Sequence, residues 1–169
     1  DFTVLNLTDI HWDIVAWMPG NTEYEAVTKT IRELIARTQP DLITISGDLS
    51  WGMAVESYVA VADLMDSFGI PWAPVWGNHD YEKAEVNQGA VEEFAKRPLC
   101  LFEAGDPALG CGNYTLLIQE DGRTVAGLLM ADTHQGASYE NENGEAVKTW
   151  GRLYPNQLEW IKAQCKLIN

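Results

Sequence analysis

Three short apolar runs, separated by stretches of helical periodicity and each ending in a polar turn, restrict this chain more than any other feature. Val4 to Thr8 reads as a buried strand, and Glu23 to Thr38 carries Val27, Ile31, Leu34 and Ile35 on one side of a helix that Pro40 ends. Leu42-Ile43-Thr44-Ile45 reads as a second strand, and Val55 to Phe68 as a second helix stopped by Gly69 and Pro71. Trp72 to Trp76 is a third strand, which Pro71 and Pro74 make irregular or place near an edge. Residues 87 to 96 read as helix. Leu116 to Gln119 and Val125 to Ala131 flank Glu120-Asp121-Gly122-Arg123, a hairpin signal, and Pro155 to Lys166 forms a last helix. The order βαβαβα, then ββ, then α, predicts a layered α/β domain with a parallel start and an antiparallel, mixed-sheet extension. Glu140 to Glu145 is the most loop-like stretch and the best candidate for disorder.

A length of 169 residues suits one domain spanning 1–169, and 46% hydrophobic with 21% charged residues excludes a disordered chain. No apolar run approaches the roughly 18 to 20 residues that cross a bilayer, so no membrane insertion is expected. No basic segment precedes Phe2 to Leu7; no signal peptide is visible, and the compartment stays open. A formal charge of −14 argues against nucleic acid and anionic membranes as partners. It is compatible with a small phosphorylated substrate, because bound metal ions reverse the local field. Cys100, Cys111 and Cys165 lack the spacing of a structural zinc site. Cys100 and Cys111 read either as a disulfide of an oxidising compartment or as two reduced, semi-buried thiols.

The chemistry gathers where the three strands end. The first runs into Asp9-Ile10-His11, the second into Gly47-Asp48, the third into Gly77-Asn78-His79-Asp80. Open α/β sheets place ligand sites beyond the carboxyl ends of their parallel strands, so this order delivers Asp, His, Asp, Asn and His to one edge. Residues at i and i+2 of an extended backbone point the same way, and Asp9 and His11 can therefore reach one ion. Glycines at 47 and 77 permit sharp turns that keep the following side chains close. Each signal alone is common; the combination, in this order and at these places, is specific.

In these blocks the sequence resembles the calcineurin-like metallophosphoesterase superfamily, marked by D-x-H, G-D and G-N-H-[DE]. Gly112-Asn113-Tyr114, Ala131-Asp132 and Gln157-Leu158-Glu159-Trp160 are similar to its purple-acid-phosphatase-related branch. The resemblance implies that Asp9 and His11 hold a first metal, that Asp48 bridges two ions, and that Asn78 binds the second. It implies further that His79 faces the substrate and that Asp80 orients its ring by a hydrogen bond. Carboxylate and amide oxygens mixed with imidazole suit two ions of Mn, Fe or Zn. Such a pair shares a hydroxide and clamps a phosphoryl group, while His79 assists the leaving group of a phosphomonoester.

Two departures follow from the same resemblance. The later histidines of the family, a lone His and G-H-x-H, have no counterpart beyond His134, which leaves each metal site short of donors. The chain is therefore expected to be the N-terminal part of a longer domain that lacks its C-terminal strands and can self-associate through an exposed edge. Where purple acid phosphatases carry the tyrosine of G-D-x-x-Y, this chain reads Gly47-Asp48-Leu49-Ser50-Trp51, so a ferric tyrosinate centre is not expected. His134 is read as a partly exposed loop residue ahead of a substitute ligand or substrate contact. Trp12, Trp51 and Trp76 are read as core packing ahead of an aromatic rim around the site. The alternative to a phosphomonoesterase is a metal-poor scaffold of the same fold that binds protein partners. A phosphodiesterase or pyrophosphatase is a third reading.

Overall fold

The computed structural model describes residues 1–13 and 20–168. β1 (Val4–Leu7), β2 (Leu42–Ser46) and β3 (Trp72–Val75) form a parallel sheet in the order β1-β2-β3. Val4 pairs with Leu42, and Ile43 with Trp72. The connections are α1 (Thr22–Thr38) and α2 (Val55–Asp66), with α3 (Ala84–Phe94) following β3 through a 3₁₀ turn at His79–Tyr81. Asn21 caps α1 by accepting from the Glu23 N–H at 2.8 Å. Gln39 closes it in a left-handed conformation, one residue before Pro40. β2 is the central strand, and Pro74 lies on edge strand β3, where its missing N–H costs no ladder bond.

The two faces of the sheet are covered differently. Ile43, Ile45 and Trp72 pack with Leu49, Tyr58, Val61, Met65 and Phe94 beneath the helices. Leu42 and Ala73, on the opposite face, meet Tyr114 and Met130 of an antiparallel hairpin formed by β4 (Tyr114–Glu120) and β5 (Arg123–Met130). The Tyr114 hydroxyl donates to the Pro74 carbonyl at 2.5 Å and pins the hairpin to the sheet. Helices on one face and a hairpin on the other give the layered α/β fold, parallel first and antiparallel after. Asp121 and Gly122, both at positive φ, make the hairpin turn that the sequence signals.

Glu140 to Glu145 departs from expectation. It is the ordered turn of a second hairpin, β6 (Gly136–Glu140) and β7 (Ala146–Trp150). Asn141 Oδ1 accepts from the N–H groups of Asn143 and Glu145, at 2.9 and 3.0 Å, and so replaces water as their partner. α4 (Pro155–Ile168) ends the described chain. Among the described residues no helix is long and apolar enough to cross a membrane.

Candidate metal centre

Beyond β1 and β2 the two chains continue side by side. Asp9 N–H donates to the Gly47 carbonyl at 3.1 Å, His11 to Asp48 at 2.9 Å and Trp12 to Leu49 at 2.8 Å. This pairing brings the two turns together, and it demands unusual backbone. Asp9, His11 and Asp48 have φ of 52°, 49° and 51°, a left-handed region that L-residues avoid. Such conformations cost of order 1–3 kcal/mol each and persist where the surroundings impose them, which is typical of functional sites. The glycines make the approach possible. Gly47 (φ 95°) lies against Gly77, and a Cβ on Gly77 would collide with the Asp48 carboxylate and backbone nitrogen.

The resulting geometry is a three-residue cluster. One ligand atom each from Asp9, His11 and Asp48 lies within 4.8 Å of the others. His11 Nε2 stands 3.8 Å from Asp9 Oδ1 and 3.8 Å from Asp48 Oδ2, too far for hydrogen bonds and suited to a shared cation. The second oxygen of each carboxylate is tethered elsewhere. Asp9 Oδ2 accepts from the Thr8 hydroxyl at 2.6 Å, and Asp48 Oδ1 from the His79 N–H at 3.0 Å. Two carboxylates and an imidazole, aimed at one point without a cationic side chain between them, fit a divalent metal. Asn78 lines the same cavity of about 410 Å³ as Asp9 and Asp48, with Thr133, His134 and Trp150 on its other walls.

His79 sits beside this cluster, its ring 5.4 Å from that of His11 and edge-on to Trp51 at 4.5 Å. No hydrogen bond joins the Asp80 carboxylate to this ring, where the motif suggests one. The Asp80 carboxylate is buried and accepts from the N–H groups of Gly77 at 2.8 Å, Ser50 at 3.2 Å and Leu49 at 3.3 Å, and from the Tyr58 hydroxyl at 2.8 Å. Burial pushes its carboxyl up to about 6, against the opposing pull of those donors. Asp80 is thus the post on which the 47–50 and 77–80 turns are fixed. The group facing His79 Nδ1 is Glu82, at 3.1 Å. Nothing in the linear sequence distinguishes Glu82 from other exposed acids.

Of the three tryptophans near the motifs, Trp12 and Trp76 are core residues. Trp51 is 42% exposed and stacks on His11, with centroids 4.3 Å apart. His134 is likewise held rather than free. Its Nε2 is 3.0 Å from Gln157 Oε1, and its Nδ1 is 3.4 Å from Asp132 Oδ2.

The branch-specific blocks meet in one buried polar network around that histidine. Gln157 Nε2 donates to Asn113 Oδ1 and the Asp132 carbonyl, at 3.0 and 2.6 Å. Asp132 Oδ2 accepts from the Tyr81 hydroxyl at 2.7 Å, which links α4 and the first hairpin to the 77–81 turn. Tyr58 and Tyr81 were not among the candidate residues. Both phenols are pushed well above their ordinary range by burial and an adjacent carboxylate, which keeps them as donors.

The description "Calcineurin-like phosphoesterase" belongs to the family model that matches residues 2–162. "Probable inactive purple acid phosphatase 28" of Arabidopsis thaliana is 28% identical over 153 residues, covering 80% of this chain and 38% of that protein. "Probable inactive purple acid phosphatase 14" of the same plant is 28% identical over 163 residues, covering 82% and 40%. "Phosphatase DCR2" of Saccharomyces cerevisiae is 28% identical over 190 residues, covering 99% and 31%. The chain therefore spans about two fifths or less of the length of these relatives.

Proposed function

The chain belongs to the calcineurin-like phosphoesterase family, in its purple-acid-phosphatase-related branch, and from that premise we propose that it takes part in metal-dependent hydrolysis of a phosphomonoester. The observation that carries this reading is the Asp9–His11–Asp48 cluster, with one oxygen of each carboxylate tethered and the other aimed at His11 Nε2. Asp9, His11 and Asp48 would hold a first ion of the Mn, Fe or Zn type. Asp48 and the Asn78 amide oxygen would serve a second. Bound ions would supply charge neutralisation for the phosphoryl group and a water acidic enough to attack phosphorus near neutral pH.

The protein's own groups do the rest. Asp48 is fixed by the His79 N–H, so the carboxylate and the backbone of the next motif move as one unit. His79, on the rim beside the cluster, would give a proton to the leaving oxygen as its bond to phosphorus breaks. The cavity of about 410 Å³ has room for a phosphoryl group and a small leaving group.

A second reading is a phosphoesterase-fold scaffold that binds protein partners. It draws on the word "inactive" in the names of the two plant relatives. Calorimetric titration with Mn²⁺ and Zn²⁺, beside an assay on p-nitrophenyl phosphate, separates the two. In the full-length protein the enzyme reading expects saturable binding that Asp48→Ala abolishes. It also expects His79→Ala to retain metal while turnover falls by roughly 10²–10⁴-fold. Absence of metal binding in the unsubstituted chain would favour the scaffold.

A further inference from the structure

The short turn that carries His79 is held unusually firmly for an exposed loop. The Asp80 side chain ties it to Leu49, Ser50, Gly77 and Tyr58. Asn87 Nδ2 donates to the Asp80 carbonyl at 3.3 Å, and Lys83 Nζ to the Met53 carbonyl at 3.2 Å. Gly52 leaves room for the turn to seat, because a Cβ there would strike the His79 carbonyl and crowd Glu82. Residues 79 and 82 lie one 3₁₀ turn apart, the spacing at which side chains eclipse. With the backbone fixed, the 3.1 Å approach of Glu82 Oε1 to His79 Nδ1 is set by the turn itself.

Another flank of the ring is occupied too. Trp51 meets it edge-on at 4.5 Å, and is in turn stacked on His11. An acceptor at one imidazole nitrogen decides which nitrogen of the neutral ring carries the proton, because the proton stays where it is hydrogen-bonded. With Glu82 at Nδ1, the neutral ring keeps its hydrogen on Nδ1 and leaves Nε2 bare and pointing away from the carboxylate.

We propose that Glu82 is the positioning residue of His79: its carboxylate, accepting from Nδ1–H in the neutral ring and in the imidazolium alike, holds the ring in one orientation, so that Nε2 carries the proton given to the leaving oxygen and is left bare once that proton has gone. The proposal rests on the reading of His79 as the group that faces substrate. It separates two jobs. Asp80 fixes the backbone from inside the protein, and Glu82 fixes the ring from its surface.

The test has two arms, of which the first needs neither metal nor activity. In the ¹⁵N-labelled chain, long-range ¹H–¹⁵N spectra at a pH where the imidazoles are neutral report the tautomer of each histidine, with His79→Gln supplying the assignment. His79 is expected as the Nδ1–H form. Glu82→Ala should shift it toward Nε2–H, the preference of free imidazole, and Glu82→Gln, whose carbonyl still accepts, should largely restore Nδ1–H. An Nε2–H ring in the unsubstituted chain, or a tautomer indifferent to Glu82→Ala, overturns the proposal.

The second arm is kinetic, on the metal-loaded full-length protein with p-nitrophenyl phosphate. Glu82→Ala should lower kcat on the order of tenfold, within the 10²–10⁴ that proton transfer supplies in all, while KM and bound metal stay unchanged. Recovery of most of kcat by Glu82→Gln is expected. Loss of metal in Glu82→Ala would make Glu82 a ligand and overturn its positioning role. A metal-loaded full-length protein that hydrolyses no ester at all would sink the phosphoesterase reading, and the tautomer measurement would still decide the role of Glu82.

Discussion

A single hydrogen atom at Gly77, in place of a methyl group, leaves the space that the Asp48 carboxylate fills. Gly77→Ala should therefore displace the Asp48 carboxylate while the sheet below remains intact. The expected result is loss of Mn²⁺ binding by calorimetry, with a stability cost of roughly 1–3 kcal/mol in urea unfolding. Unchanged metal affinity in that variant would show that Asp48 is free to hold its ion from another position. Cysteine chemistry offers a second reading at this scale. No disulfide joins the cysteines among the described residues, and burial pushes the Cys100 thiol up to about 12 while Cys165 is exposed. A pKa raised that far leaves only about one Cys100 in 10⁴ as thiolate at pH 8, so labelling at that pH should modify the exposed Cys165 and leave Cys100 untouched. Mass spectrometry after iodoacetamide treatment would read this, and early modification of Cys100 would contradict its burial.

Between elements, aromatic contacts and the buried polar network hold the layers together. Trp76 stacks on Phe94 at 5.5 Å, and Phe102 bridges from Phe94 to Tyr114, so the helical layer is joined to the first hairpin around the sheet edge. On the other side, α4 is joined to β4 and β5 through Gln157, which is fully buried. Gln157→Leu is close to it in volume and abandons the Asp132 carbonyl, the Tyr154 N–H and His134 Nε2, while Asn113 Oδ1 keeps the Asp132 N–H. Buried groups without partners cost about 1–3 kcal/mol each, and partial relaxation brings the expected loss to about 2–4 kcal/mol. Urea unfolding measures it, and a neutral outcome would mean that water enters the network.

Across the whole molecule, the charge of −14 includes Asp9 and Asp48 facing each other across His11. Binding a divalent ion there relieves local repulsion and stabilises only the folded state. At a Mn²⁺ concentration about 100 times the dissociation constant, mass action supplies about 2.7 kcal/mol, which is roughly 5 to 10 °C in Tm for a chain of this size. Chelation should reverse the shift, and Asp48→Ala should eliminate it. An equal shift in Asp48→Ala would place the ion elsewhere among the acidic residues.

The Asp9–His11–Asp48 cluster was legible in the sequence as a candidate because carboxylates and imidazole at neighbouring strand ends are the residue types a metal centre would need, and buried strands leave continuous apolar runs. The β4–β5 turn was legible for a similar reason, since Asp121-Gly122 supplies the positive φ that a tight hairpin requires. The β6–β7 hairpin was not, because a ribbon exposed along most of both strands has no buried face to impose alternation. Nor could the sequence divide labour between Asp80 and Glu82. Asp80 is held inward by amides of Leu49 and Ser50, some thirty residues earlier, and Glu82 is the carboxylate beside the neighbouring ring. Residue type and local spacing determine which groups are available at the sheet edge. Which of them meet depends on backbone donors and rings brought together from distant segments, and that information exists only in the folded chain.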